Sequence, residues 1–245
     1  MNAPSREDAC RPAPLLVARE LACRRGGRLI FRALSFALQP GDAMLLTGPN
    51  GSGKSSLLRV LAGLSPPLSG ALEWDGAAIS QDAAGHRARL HFVGHHDAVK
   101  PVLTALEMLS FWGALRESGP PRAQQAKARQ ALETLGLGPL ALSPCRLLSA
   151  GQKKRLALAR LFADHAPLWL LDEPTNGLDA GGVRLLEDCI SAHRKAGGIV
   201  IAATHIPILA ERPTLLSPAD YAPRWQEAAL EWEEAPLPRW RNTSF

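Results

Sequence analysis

Ala43-Met44-Leu45-Leu46-Thr47, followed by Gly48-Pro49-Asn50-Gly51-Ser52-Gly53-Lys54-Ser55, is the stretch that decides the fold of this 245-residue chain. Its first five residues form a short apolar run, the pattern of a strand buried on both faces of a parallel sheet. The next eight match G-x4-G-K-[ST]. Glycines in such a loop let the backbone wrap a phosphate, so that amide N–H groups and a helix N-terminus face the negative charge. Ser55 opens that helix: Leu57, Leu58, Leu61 and Leu64 recur at i, i+1, i+4 and i+7, and Pro66-Pro67 supply the expected stop. Lys54 can reach the β- and γ-phosphates, and the Ser55 hydroxyl suits Mg2+. The candidate nucleotide-binding residues are therefore Gly48, Pro49, Asn50, Gly51, Ser52, Gly53, Lys54, Ser55 and Ser56, with Lys54 also a candidate catalytic residue.

Further along, residues 168–171 (LWLL) and Ile199–Ala203 (IVIAA) are compact apolar runs that again read as buried parallel strands. Residues 71–74 and Leu90–Val93 read as additional strands, and residues 15–38 alternate strand-like pieces with the turn residues Gly26-Gly27. From 104 to about 148 the texture is helical. Leu106, Leu109 and Gly113 share one face, and residues 122–137 (RAQQAKARQALETLGL) predict a helix with a polar, basic side. This alternation predicts an α/β sheet with a helical insertion between Val93 and Leu168.

The acidic residues fall where that architecture makes them useful. Asp172 and Glu173 follow the LWLL strand directly, and the carboxyl ends of parallel strands border the crevice where ligands bind. Asp172 is placed to hold Mg2+ through water, and Glu173 to polarise an attacking water. His205 ends the IVIAAT strand on the same edge, where it can bond a γ-phosphate or orient the water. Leu148-Ser149-Ala150-Gly151-Gln152 opens another helix. Ser149 suits an N-cap, and the amides beyond it are anion receptors. Lys153, Lys154 and Arg155 occupy its first turn, where the helix dipole disfavours cations. A nearby polyanion and a solvated basic face account for that conflict equally well.

Composition sets the outer bounds. The chain is 46% hydrophobic and 21% charged, which suits one large or two small globular domains with a substantial core. The net charge of +5 fits a polyanionic ligand or an anionic membrane face, or a basic surface with no specific partner. Cys10, Cys23, Cys145 and Cys189 are scattered without zinc-ligand spacing and read as reduced thiols. The N-terminal residues lack a signal-peptide core, and no apolar run approaches the ~20 residues of a membrane span.

Together these segments resemble the ATP-binding cassette ATPases, over roughly residues 14–210. GPNGSGKSS is similar to the Walker A motif, LSAGQ to the family signature, and LWLLDEP to the Walker B with its catalytic glutamate. Asn176-Gly177-Leu178-Asp179 is similar to the D-loop, and His205 to the switch histidine. The resemblance implies a P-loop core with a parallel sheet, an antiparallel β subdomain and a helical subdomain. It also implies Mg2+-dependent hydrolysis of ATP by a head-to-tail homodimer, in which Ser149, Gly151 and Gln152 contact the ATP bound by Lys54 of the other subunit. Ala150 stands where the family more often has Gly.

A second departure narrows the subfamily. The Q-loop glutamine is missing, and Gly94-His95-His96 followed by Lys100 and LTALE resembles the ATP-binding subunits of the heme exporters of cytochrome c maturation. The position falls on His95, or on His96 with a one-residue shift; in those subunits the usual sequence is similar to G-H-Q, which makes His96 the stand-in for the glutamine, and metal or heme ligation by the pair is the lesser alternative. The aromatic residue that most cassettes stack on adenine is also absent near residue 25. A guanidinium plane can stack on a ring, so Arg24 or Arg25 is the candidate substitute, Arg25 foremost, and two solvated arginines in a turn account for the pair equally well. The resemblance implies integral membrane permease subunits and cytochrome c maturation proteins as partners, with no nucleic acid. It also implies a peripheral place on the cytoplasmic face of the bacterial inner membrane, and heme export as the process served. An ATPase for another solute is the alternative; a soluble cassette acting on ribosomes or DNA would carry a second cassette or a long coiled coil. Residues 1–217 are read as the ATP-binding domain, with a helical subdomain at about 95–154. Residues 218–245 are read as a tail in which Trp225, Ala229 and Trp232 lie at i, i+4 and i+7; the tryptophans suit either docking on the cassette or a membrane interface, and Glu227, Glu231 and Glu234 on the other side favour docking.

Overall fold

The computed structural model describes residues 15–94, 98–115, 121–163, 165–206, 208–209 and 213–223. The His95–His96 pair and the Trp225–Trp232 face lie outside the described residues. Two sheets organise the rest. β1 (Leu16–Arg25) and β2 (Arg28–Leu38), joined through Gly26-Gly27, pair antiparallel with β4 (Ser69–Trp74) and β5 (Ala77–Ala78) in the order β2-β1-β4-β5. β3 (Ala43–Leu46), β6 (Leu90–Val93), β7 (Leu168–Asp172), β8 (Ile199–Ala203) and β9 (Thr214–Leu216) form a parallel sheet in the order β6-β7-β8-β3-β9.

Parallel strands need crossovers, and these carry the helices. α1 (Lys54–Leu61) follows β3, and α2 (Ala83–Ala88) precedes β6. α3 (Ala105–Ala114), α4 (Pro121–Thr134) and α5 (Ala150–Ala163) lie between β6 and β7, and α6 (Ala180–Lys195) lies between β7 and β8. The chain is thus an α/β protein with a parallel core sheet, an antiparallel sheet and a helical insertion, as its sequence predicts. Among the described residues, no helix is long and apolar enough to cross a membrane.

Side chains alternate across the parallel sheet and divide its residues between two cores. Leu168 and Leu170 of β7 join Ile199 and Ile201 of β8 and Met44 and Leu46 of β3 in a core shared with α1 and the antiparallel sheet. Trp169, Leu171, Val200 and Ala202 pack into the opposite core with Leu106, Leu109, Leu132 and Leu156 of the helical insertion. β7 and β8 are buried at every position, because helices or the second sheet cover both faces.

Two helix ends differ from the sequence reading, for one reason. α1 stops at Leu61 rather than running to Pro66-Pro67, and Leu64, read as part of its apolar face, is 49% exposed. Gly63 at φ 64 donates to the Val60 carbonyl at 3.0 Å, and Leu64 donates to that of Arg59 at 2.9 Å. This is the paired 5→2 and 6→1 bonding of a Schellman cap, which a left-handed glycine terminates at no Cβ cost. α4 likewise ends at Thr134, three residues short of 137, where Gly136 donates to Glu133 and Leu137 donates to Leu132. Beneath α1, the buried His86 donates from Nε2 to the Leu61 carbonyl at 2.8 Å, and burial pushes its pKa down.

α3 begins where the LTALE segment places it. The Thr104 hydroxyl accepts the Glu107 N–H at 3.2 Å while Glu107 Oε2 accepts the Thr104 N–H at 2.8 Å, a closed capping box. Near the last described residues, Pro218 is buried and the partly buried Tyr221 packs on the core shared with α1. Packing of that core therefore continues past residue 217, into the segment read as tail.

Candidate nucleotide site

β3, β8 and β7 are neighbours in the sheet, so the loops leaving their carboxyl ends meet along one edge. There they border a cleft of about 490 Å³. Asn50, Gly51, Gly53, Lys54, Ser55 and Ser56 line it from the loop after β3. Asp172, Glu173 and Asn176 line it from the end of β7, and His205 from the end of β8. Arg25 and Ile30, on the strands flanking the β1–β2 turn, close one side, and Arg24 does not reach it. Gly48, Pro49 and Ser52 belong to the same loop without lining the cleft.

The loop is held by its own lysine. Lys54 is 8% exposed, and its ammonium donates to the carbonyls of Gly48 at 2.7 Å and Pro49 at 3.0 Å. Ser52 Oγ is buried without a hydrogen-bond partner among the described residues, an unmet polar group at the base of the loop. Gly53, the residue before α1, has φ 100, and a Cβ there would come within 2.5 Å of Ile30 Cγ2. The antiparallel sheet thus packs directly against the phosphate loop.

Across the cleft, the Ser55 hydroxyl donates to Asp172 Oδ1 at 3.1 Å, a contact between residues 117 positions apart. One hydroxyl and one carboxylate, both hard oxygen donors, suit Mg2+, which takes one or two protein ligands and completes its shell with phosphate oxygens and water. Among the described residues, no group of three or more His, Cys, Asp or Glu forms an all-protein metal cage.

Glu173 sits in the left-handed region at φ 48, which is strained for a residue with a Cβ. Its N–H donates to the Ala203 carbonyl of β8 at 2.8 Å, and its own carbonyl accepts the Asn176 N–H at 3.3 Å, so both neighbours enforce the turn. His205 Nε2 lies 3.5 Å from Glu173 Oε1. Behind this pair the Thr175 and Thr204 hydroxyls meet at 3.2 Å, joining the turns after β7 and β8.

Ser149, Gly151 and Gln152 do not line this cleft; they form a separate helix start. The Ser149 hydroxyl accepts the Gln152 N–H at 3.2 Å, and Gln152 Oε1 accepts the Ser149 N–H at 2.9 Å. Ser149 and Ala150 are exposed. The basic first turn of α5 is not a solvated face: Lys154 is 4% exposed, and Arg155 pairs with Asp179 at 3.0 Å. Packing of α5 against the helical core buries Lys154, whereas the Arg155–Asp179 pair lies at the surface, with side chains 27% and 66% exposed. Ile30 carries no sequence signal as a site residue, and Asn176, legible only as part of the D-loop resemblance, lines the cleft itself.

Residues 31–176 match the ABC transporter family. Over 191 residues the chain is 54% identical to the cytochrome c biogenesis ATP-binding export protein CcmA of Paramagnetospirillum magneticum, covering 78% of this chain and 88% of the relative. It is 45% identical to ABC transporter I family member 1 of Arabidopsis thaliana, covering 83% and 87%. In three dimensions it is similar to CbiO1 from Clostridium perfringens, part of an ABC transporter complex, with a TM-score of 0.68 and 27% identity over 81% of each chain. It also shares its fold with a dimeric post-hydrolysis cassette bound to ADP and Pi, with a TM-score of 0.72 and 24% identity over 84% of this chain and 95% of that one.

Proposed function

The chain belongs to the ABC transporter family of ATP-binding cassettes, and from that premise we propose that it is the ATP-hydrolysing subunit of a heme exporter serving c-type cytochrome assembly. The observation that carries the enzymatic half is the single cleft where Lys54, Ser55, Asp172, Glu173 and His205 converge from three neighbouring strand ends. The names of relatives at 40–54% identity support the cellular half.

The loop amides of Gly51 to Ser56 and the N-terminus of α1 receive the phosphates, while Lys54 exchanges its loop carbonyls for phosphate oxygens. Ser55 and Asp172 hold Mg2+, which neutralises charge on the phosphoryl oxygens when bound. Glu173 accepts a proton from the water whose oxygen attacks the γ-phosphorus, as the bond to the bridging oxygen breaks and ADP leaves. His205, beside Glu173, orients that water and the γ-phosphate. Arg25 lays its guanidinium plane on the adenine, on the side of the cleft that Ile30 also lines. Ser149, Gly151 and Gln152 complete the site of a second copy of the chain, so hydrolysis requires a homodimer. Integral membrane permeases and cytochrome c maturation proteins are the partners, and the working place is the cytoplasmic face of the bacterial inner membrane.

The test replaces the chromosomal gene with its Glu173→Gln variant and stains membranes for proteins carrying covalent heme. Loss of c-type cytochromes, with normal amounts of the variant protein, is expected. Normal c-type cytochromes, with ATP hydrolysis by the purified variant lost, would remove the heme assignment and leave the ATPase assignment standing.

A further inference from the structure

The segment between β7 and α6 touches the start of α5 in two places. A Cβ on Gly151 would come within 2.7 Å of the Gly177 carbonyl, so the two backbones are in close approach. Four residues along α5, Arg155 donates from Nη2 to Asp179 Oδ2 at 3.0 Å. Asp179 is itself pinned, since its Oδ1 accepts the Gly182 N–H at 2.8 Å as the N-cap of α6. The same segment starts at Glu173, and the Leu178 N–H donates to Thr175, whose hydroxyl meets Thr204 next to His205. An unbroken set of short contacts therefore runs from the Glu173–His205 pair to the signature helix of the same chain.

We propose that Arg155 is a positioning residue that ties the signature helix to the turn carrying Glu173, through Asp179 and the Gly151–Gly177 backbone contact. This rests on the homodimeric reading above: the Glu173 turn of one subunit serves its own ATP, whereas its Ser149 and Gly151 serve the partner's. A rigid tie between them makes each ATP site sense the occupancy of the other. Arg155 touches neither nucleotide. Its side chain is 27% exposed and its Nε is buried without a hydrogen-bond partner among the described residues, while the Asp179 carboxylate it meets is 66% exposed, so the pair closes over the surface of the contact between the two segments.

The test uses the full-length chain with Arg155→Met, Asp179→Asn and the double substitution. Asn at 179 keeps the N-cap oxygen and removes the charge. Each single variant should lower turnover about tenfold and bring the Hill coefficient for ATP toward one, because a sub-ångström misplacement of a catalytic group costs this much. The double variant should be no worse than either single one, as expected for two residues acting through one contact. Melting temperature and ATP affinity under non-hydrolysing, monomeric conditions should stay unchanged; a purely structural role would lower both with turnover. Unchanged cooperativity in the single variants, or additive losses in the double variant, would overturn the proposal. Glu173→Gln serves as the control for the underlying reading. If that variant fails to form ATP-dependent dimers, the homodimeric reading fails first; if it forms them and adding Arg155→Met leaves dimer yield the same, only the tie fails.

Discussion

Gly151→Ala separates the catalytic role of the signature helix from its stability. Gly151 lies in the first turn of α5, and its φ is outside the left-handed region, so the backbone accepts alanine. Helix propensity alone favours alanine there by up to about 1 kcal/mol. The added Cβ, however, would stand 2.7 Å from the Gly177 carbonyl, about 0.7 Å inside the 3.4 Å at which ordinary contact begins. The start of α5 or the turn at Gly177 must move by that amount. A 1 Å error in catalytic geometry costs on the order of a hundredfold, so a shift of this size predicts a turnover loss of roughly ten- to fiftyfold. The melting temperature should stay within about 3 °C, because the propensity gain offsets the strain and 1 kcal/mol corresponds to about 2–4 °C in a chain of this size. Phosphate release and thermal melts of the full-length variant measure the two quantities. Ala150→Gly, at an exposed neighbouring position, should keep turnover within about twofold despite its propensity cost. Wild-type turnover with wild-type melting in Gly151→Ala would show that the backbone approach carries no function.

Three other outcomes follow from the geometry. Chelation of divalent cations should reduce hydrolysis by at least about a hundredfold, and Mg2+ should restore it except in Ser55→Ala with Asp172→Ala; turnover persisting in chelator would rule out the Ser55–Asp172 pair as a metal site. Arg25→Ala should raise the KM for ATP by about three- to tenfold, the range of a partly exposed guanidinium stacked on a ring, and Arg25→Trp should restore it; an unmoved KM would take Arg25 away from the base. Burial, with help from the nearby charge of His165, pushes the His193 pKa down to about 4, and the ring stacks on Trp169 at 3.9 Å. The unfolded chain, with a histidine pKa near 6.5, therefore binds this proton first on acidification. The stability due to the neutral ring is complete above pH 6.5 and is lost as pH falls toward 4, by about 2–3 kcal/mol at most. His193→Leu should flatten that part of the melting-temperature profile between pH 7 and 4.5, and an identical profile would refute the assignment.

Residues 43–58 show why much of the site was legible from sequence. A strand, a phosphate loop and a helix follow one another without a gap, so local turn chemistry and periodicity specify the whole unit. Asp172, Glu173 and His205 were legible for a related reason: each directly follows an apolar run, and the carboxyl ends of parallel strands share an edge. The helix ends were harder. Proline at 66 and 67 drew the boundary of α1 too far, because the Gly63 cap that intervenes is only one residue with no periodic signature.

The sequence by itself determined the α/β class, the phosphate loop, the strand-end acids and the helical texture from residue 104, all set by residues within a few positions of one another. Tertiary structure alone decided which of two arginines reaches the cleft and brought Ser55 to Asp172 across 117 positions. It also turned the basic start of α5 into the Arg155–Asp179 tie. These contacts depend on strand order and on how the helical insertion packs against the sheet. Burial and pairing there are properties of elements far apart in the chain, and no local pattern encodes them.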